Sequence, residues 1–370
     1  GPREEELLLE VVRSGSLSRG PKLEQFEHDF GEWLGGGYAV ALANGTAALH
    51  LGVRAMGWGE GDEVITSPMS FVATANSILY EGAKPVFCDI DPVTFNLDPE
   101  AAASAMTEKT AGILPVHIFG YPADLPALGK IASDHGLGMV EDAAQALGAI
   151  DRAGRRVGTA GNITTFAFYA NKQMTTGEGG VLITPEKEVA ERVISERNHG
   201  RTKAGQVEHD RLGFNYRLSD LQAAIGIAQV ERLDELLNAR DNVAALYREQ
   251  LTELGAAPAG EEDDHDIVLP CENRGDERRG WFVFVVQLPA GIDRDAVISS
   301  LDKQGIASRA YLPCIHLLPD YRERFGFKGG EFPVAERVSE RSLALPFFTS
   351  MTESQVDRVC TALGEALGKQ

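Results

Sequence analysis

Four cysteines in 370 residues, at Cys88, Cys271, Cys314 and Cys360, are too scattered for a disulfide framework. They form no CxxC pair and fall at no Cys/His ligand spacing, so no metal site is expected and the thiols read as buried and reduced, as in a cytoplasmic protein. Positive charge is also short. Against 55 Asp and Glu stand 35 Lys and Arg, a formal charge of -20, which opposes general binding to nucleic acid or to anionic membrane. An anionic small substrate would have to meet a local group of arginines. No apolar run approaches the roughly 20 residues of a membrane helix, and nothing at the start resembles a signal peptide. Neither GxGxxG nor GxxxxGK[ST] occurs, which removes the fingerprint of a dinucleotide or P-loop site. No internal repeat and no heptad pattern is present.

What is there is an ordinary globular composition, 43% apolar and 24% charged, over a length suited to two domains. Short apolar runs at 38–42, 63–67, 84–90, 112–118, 138–142, 164–170 and 179–185 alternate with segments of helical spacing. That alternation predicts a mostly parallel sheet between layers of helices. Residues 218–254 read as one long helix or a kinked pair, with Ser219 and Asp220 as capping groups near its start. The acidic stretch 256–266 reads as a surface connection. A strand at 281–288 and helices near 293–304, 333–342 and 352–367 then predict a smaller α+β unit. The expected division is 1–235, a large domain with an N-terminal helix, and 236–370.

Several residues fall where such sheets place their ligands, at the carboxyl ends of strands. In ALANGTAALHL a strand runs through Asn44, Gly45, Thr46 and Ala47 into a helix, whose free N–H groups and positive dipole end suit a single phosphate. In VEDAAQALGA, Asp142 closes an apolar strand and requires a cationic or N–H partner, with Gln145 three residues on. Phe71 offers an aromatic face at the same edge. Asn215, Tyr216 and Arg217 crowd the loop before the long helix. Lys172 follows the aromatic strand of TTFAFYANKQMTTGEGG; partly removed from water, its amine would be neutral often enough to form a Schiff base. Each has an ordinary explanation taken singly: a capped helix, an N-cap carboxylate, a core phenylalanine, a solvated lysine. Together they are the parts of a pyridoxal phosphate site.

At this point the chain resembles the sugar-nucleotide aminotransferases of the DegT/StrS type, through RSGSLSRGPKLEQFE, ANGTAALHL, SFVATANS, KPVFCDIDP, PVHIFGYPAD, VEDAAQALGA, FAFYANKQMTTGEGG, LGFNYRLSDLQAAIG and YLPCIHLLPDY. The resemblance implies the aspartate-aminotransferase-like α/β fold (pyridoxal phosphate fold type I), with a mostly parallel seven-stranded sheet and a smaller C-terminal domain. It implies pyridoxal 5'-phosphate held by Lys172, Asp142 on the pyridine nitrogen, Gln145 near the phenolic oxygen and Phe71 on the ring. It also implies Gly45, Thr46 and Ala47 at the phosphate, joined by Asn215 from the neighbouring subunit of a homodimer. Arg217, Tyr311 and His316 are the implied substrate contacts. The implied reaction moves an amino group from glutamate, leaving 2-oxoglutarate, to a nucleotide-linked keto sugar. The turn QMTTGEGG resembles relatives acting at C4 of a 4-keto-6-deoxyhexose more than those acting at C3; C3 amination and a non-catalytic cofactor-binding regulator are the alternatives. One departure stands out. The family's serine five residues before the lysine is Ala167 here, so the phosphate must lean on Thr46, backbone amides, Thr165 or water.

Overall fold

The computed structural model describes residues 1–201, 208–261 and 266–368. Parts of two segments singled out in the sequence, the loop 201–212 and the connection 256–266, lie outside the described residues. Two helices, α1 (Pro2–Ser14) and α2 (Pro21–Leu34), precede the first strand, β1 (Tyr38–Leu42). Then come α3 (Gly45–Met56), β2 (Glu63–Thr66), α4 (Ala73–Tyr80), β3 (Lys84–Phe87), α5 (Pro99–Ser104), β4 (Thr110–Leu114) and α6 (Leu125–His135). Strands β5 (Gly138–Asp142), β6 (Ile163–Ala167) and β7 (Gly180–Thr184) complete a seven-stranded sheet of order β1-β7-β6-β5-β4-β2-β3.

Strands β3, β2, β4, β5 and β6 pair in parallel, and only β7 runs against its neighbours β6 and β1. The carboxyl ends of β1, β2, β5 and β6 therefore share one edge with the start of β7. Buried apolar side chains lie on both faces, as a mostly parallel sheet demands. On one face Phe26, Phe30, Phe166 and Phe168 meet edge to face. Leu42, Leu51, Val140 and Leu182 fill the other.

After α7 (Lys187–Glu196), the long helical stretch is a pair, α8 (Asp220–Glu231) and α9 (Leu233–Glu253), broken at Arg232 with φ -122° and ψ 16°. A second sheet follows, of order β11-β12-β10-β9-β8: β8 (Ala257–Pro258), β9 (Val268–Leu269), β10 (Phe284–Gln287), β11 (Arg309–Ala310) and β12 (Ser342–Leu345). It packs with α10 (Arg294–Lys303) and α13 (Glu353–Ala366), while α11 (Pro319–Phe325) and α12 (Pro333–Arg341) lead back to β12. The apolar run expected as a strand at 281–288 contributes only its last half to the ladder. Among the described residues no helix is long and apolar enough to cross a membrane.

Candidate active site

Lys172 sits in the loop between β6 and β7, a few residues of irregular backbone beyond the strand end at Ala167, and is half-buried. Its Nζ lies 3.9 Å from the centroid of the Phe282 ring. Burial lowers its pKa to about 8, against the pull of Asp142 in the other direction. Asp142, 4% exposed, ends β5. Its Oδ2 accepts from Thr74 Oγ1 at 2.7 Å and its Oδ1 from the Ala144 N–H at 3.1 Å. Ser70 Oγ lies 2.7 Å from Thr74 Oγ1; since the Thr74 proton is directed to Asp142, Ser70 is the donor of that pair. Desolvation pushes the Asp142 carboxyl upward, while Thr74, Ala144, Lys172 and His117 hold it back. Burial thus moves Lys172 and Asp142 toward their neutral forms, and a cation placed against Asp142 would keep it ionised.

Gln145 is fixed from one end. Its Oε1 accepts from the Phe119 N–H at 3.0 Å, and its carbonyl accepts from Gln173 Nε2 at 2.7 Å. No hydrogen bond among the described residues engages its Nε2, so the amide presents a donor. Phe71 precedes α4 and is 60% exposed, an unusual exposure for phenylalanine at a sheet edge. The Tyr311 ring lies 5.9 Å from Phe119 and 6.2 Å from Phe282, and burial raises its hydroxyl to about 12.

The helix start at α3 is built for close approach. A Cβ on Gly45 would lie 2.6 Å from Ala167 Cβ, and one on Gly180 would lie 2.6 Å from the Asn44 carbonyl. Ala167 therefore faces this cradle, at the position where the family's serine would stand. The Ala47 N–H donates to Asn44 Oδ1 at 2.8 Å, an N-cap bond, which leaves the Gly45 and Thr46 amides and the Thr46 hydroxyl at the first turn. Thr165, a candidate substitute for the missing serine, donates its hydroxyl to the Glu141 carbonyl at 3.2 Å and is committed there.

A planar, phosphorylated, protonated heteroaromatic ring fits this arrangement: a helix start open at Gly45 for the phosphate, an exposed ring at Phe71, an amide donor at Gln145 and a desolvated carboxylate needing a cation. The family model for the DegT/DnrJ/EryC1/StrS aminotransferase family matches residues 1–364. The chain belongs to this family. It is 37% identical to the spore coat polysaccharide biosynthesis protein SpsC of Bacillus subtilis, over 98% of this chain and 94% of that one. It is also 37% identical to GDP-perosamine synthase of Caulobacter vibrioides, over 98% and 95%. Among solved structures, DesV of S. venezuelae in complex with a ketimine intermediate superposes with a TM-score of 0.90 at 33% identity, covering 99% of this chain and 95% of that one. The expected fold type I architecture and an aminotransferase using pyridoxal phosphate therefore stand.

Membership of the family does not assign every residue. Asn215 is exposed in a bridge with Asn198. Arg217 Nη1 donates to Asn198 Oδ1 at 3.0 Å, and burial together with the charges of Arg19 and Arg201 lowers its pKa. These three arginines lie close enough for their charges to act on one another. His316, next to Ile315, whose N–H donates to the Pro68 carbonyl at 2.8 Å, is 0% exposed, bonded through Nε2 to Glu336 Oε1 at 3.0 Å and edge-on to Phe327 and Phe332. Its imidazole belongs to the wall behind α12, away from any open surface. His316, Glu331 and Glu336 lie close together, but the two carboxylates already accept from backbone N–H groups of 328–332, which explains the cluster. Thr74, Ser70, Phe282 and Gln173 escaped sequence reading. Only the i, i+4 spacing of Ser70 and Thr74 at a helix start hinted at the hydroxyl chain.

Proposed function

We propose that the protein aminates a nucleotide-linked keto sugar, at C4 of a 4-keto-6-deoxyhexose, with glutamate as amino donor. The observation that carries this reading is the pairing of a desolvated lysine, Lys172, with a desolvated carboxylate, Asp142, at one sheet edge. Pyridoxal phosphate, when bound, supplies the electron sink for moving an amino group between carbonyl carbons. Lys172 would hold the cofactor and, once released, its Nζ would carry the proton that the transfer requires. Asp142 would keep the pyridine nitrogen protonated, Gln145 would donate toward the phenolic oxygen, and Phe71 would stack on the ring. Gly45 and Thr46 would form the phosphate end, the Ala47 N–H expected there being spent instead on the Asn44 cap, and Asn215 of the second subunit in a homodimer would complete it.

The name GDP-perosamine synthase supports an amino sugar product, and that of SpsC a polysaccharide pathway. The group Arg19, Arg201 and Arg217 supports a substrate bearing a diphosphate; among the described residues Arg201 Nε is buried with no hydrogen-bond partner. Tyr311, packed beside Phe119 and Phe282, is the side chain this reading assigns to the sugar. The reading places the enzyme in the cytoplasm and divides it into a large domain, 1–235, and a smaller one, 236–370; α9, from Leu233, spans that division. The preference for C4 rests on the turn QMTTGEGG, in which the Glu178 side chain is exposed and its carbonyl accepts from Thr176 and Gln222. A panel of nucleotide-linked 3-keto and 4-keto sugars with glutamate, products assigned by NMR, tests the proposal. An amine at C4 with release of 2-oxoglutarate is expected; an amine at C3, or no turnover with any sugar nucleotide, overturns it.

A further inference from the structure

Arg240 lies midway along α9 and is 6% exposed. Leu233 at one end of this helix belongs to the core that holds Phe166 and Phe168, and Val243, Tyr247 and Leu251 belong to the core around the second sheet. A guanidinium at such a point normally meets a carboxylate, because a buried unpaired charge is expensive. None does so here. Nη2 donates to the Lys172 carbonyl at 2.9 Å and Nη1 to the Phe282 carbonyl at 3.1 Å, while Phe347 lies under the plane with its centroid 5.6 Å from Cζ. Nε is buried without a partner among the described residues. Burial lowers the pKa of Arg240 to about 10 with no anion to offset it, so the group keeps its proton at neutral pH.

The two carbonyls it ties are not arbitrary. One belongs to Lys172, whose own N–H returns only to the Tyr169 carbonyl at 3.0 Å within an irregular loop. The other belongs to the residue whose ring lies beneath the Lys172 amine. Guanidinium geometry suits this task, since a rigid fork fixes the separation of two acceptors as an ammonium does not. We propose that Arg240 is a positioning residue for Lys172: by clamping the carbonyls of Lys172 and Phe282 to α9, it holds the lysine's backbone and the apolar floor under its amine in one fixed relation. The inference rests on the reading of Lys172 as the cofactor-binding lysine. An uncompensated buried charge is then retained for the geometry it enforces, at a cost in stability.

The test uses the pyridoxal phosphate holoenzyme and the variants Arg240→Met, Arg240→Lys and Phe282→Leu. Borohydride reduction and peptide mapping come first; a label anywhere other than Lys172 overturns the site reading itself, and the clamp with it. With the label on Lys172, visible circular dichroism of the bound cofactor reports its orientation, and the pH midpoint of the visible band reports hydration of the lysine nitrogen. Arg240→Met is expected to weaken the visible dichroism roughly twofold or more, and to raise the midpoint by about half a pH unit as water reaches the nitrogen and favours its charged form. Arg240→Lys, able to serve one carbonyl at a time, should fall between Arg240→Met and the parent. Phe282→Leu keeps the clamp but removes the floor, and should weaken the dichroism to a similar extent. A lowered melting temperature with unaltered spectra in Arg240→Met would show a merely structural arginine and overturn the proposal. If Arg240→Met does not fold, an unaltered spectrum in Phe282→Leu does the same.

Discussion

The chemistry of Lys172 turns on two opposed effects, desolvation that favours the free amine and Asp142 that favours the ammonium, and desolvation wins. With its pKa near 8, the free amine is protonated below that value and nucleophilic above it. The rate at which added pyridoxal phosphate develops its visible band on the apo-protein should therefore climb through pH 8 and flatten above about pH 9, whereas an exposed lysine would still be climbing near its ordinary pKa of ~10.4. Stopped-flow absorbance across that range decides the matter. Lys172→Ala should lose the band and slow transamination by roughly 10²–10⁴-fold. Ala167 makes a separate claim. Because its Cβ faces the Gly45 cradle and Thr165 is committed to Glu141, no hydroxyl from β6 reaches the phosphate end. Ala167→Ser should slow cofactor loss on dialysis by roughly fivefold, about 1 kcal/mol for one added hydrogen bond; an unchanged loss rate would remove the argument. Lys172 and Asp142 stood out in the sequence because each puts a charge where the strand edge predicts burial, while the exposure of Phe71 is a structural finding. Thr74 and Phe282 did not stand out, because a threonine in a helix and a phenylalanine in an apolar run look like core.

At the scale of the element, Asp220 shows how a residue beside a helix start can serve a different helix. Ser219 caps α8, closing a capping box with Gln222. Asp220, read from sequence as a second capping group for the same helix, accepts instead from the N–H groups of Gly20 at 2.6 Å, Lys22 at 3.0 Å and Leu23 at 3.3 Å. It caps α2 from some 200 residues away in sequence, with the separation to Gly20 being 200. Asp220→Ala would strand those donors in a buried place, and a loss of about 2–4 kcal/mol in urea unfolding is expected, against about 1 kcal/mol for Ser219→Ala. Equal losses would mean that the two carry equivalent local caps. The same limit explains the rest of the elements. The strands of the first sheet announced themselves as β-branched runs with turn residues on either side, and each was found within a few residues of its expected span. The second sheet was mostly unforeseen, because β8, β9 and β11 are two residues each and β12 follows α12 directly. Strands so short have no period of their own; their partners define them.

For the whole molecule, the decisive question is whether one chain makes a whole site. Lys172 and Asp142 come from one sheet edge of a single chain, while Asn215 lies exposed on the loop before α8, beside the arginine group. If Asn215 and Arg217 serve the neighbouring subunit's site, two inactive variants can repair each other. In a dimer of Lys172→Ala with Asn215→Ala, one site has the damaged lysine and the damaged asparagine together. The other has the lysine of the Asn215→Ala chain and the asparagine of the Lys172→Ala chain, both intact. Random mixing gives half mixed dimers with one good site each, so about a quarter of the parent activity should return after the two variants are denatured and refolded together, while neither recovers alone. Lys172→Ala mixed with Asp142→Asn provides the control. Those two groups lie in the same chain's site, so every mixed dimer carries a lesion in each site and no activity should return. No recovery in the first mixture, despite mixed dimers seen by native mass spectrometry, would show that each chain completes its own site; recovery in the control would show that Lys172 and Asp142 do not serve one chain's site.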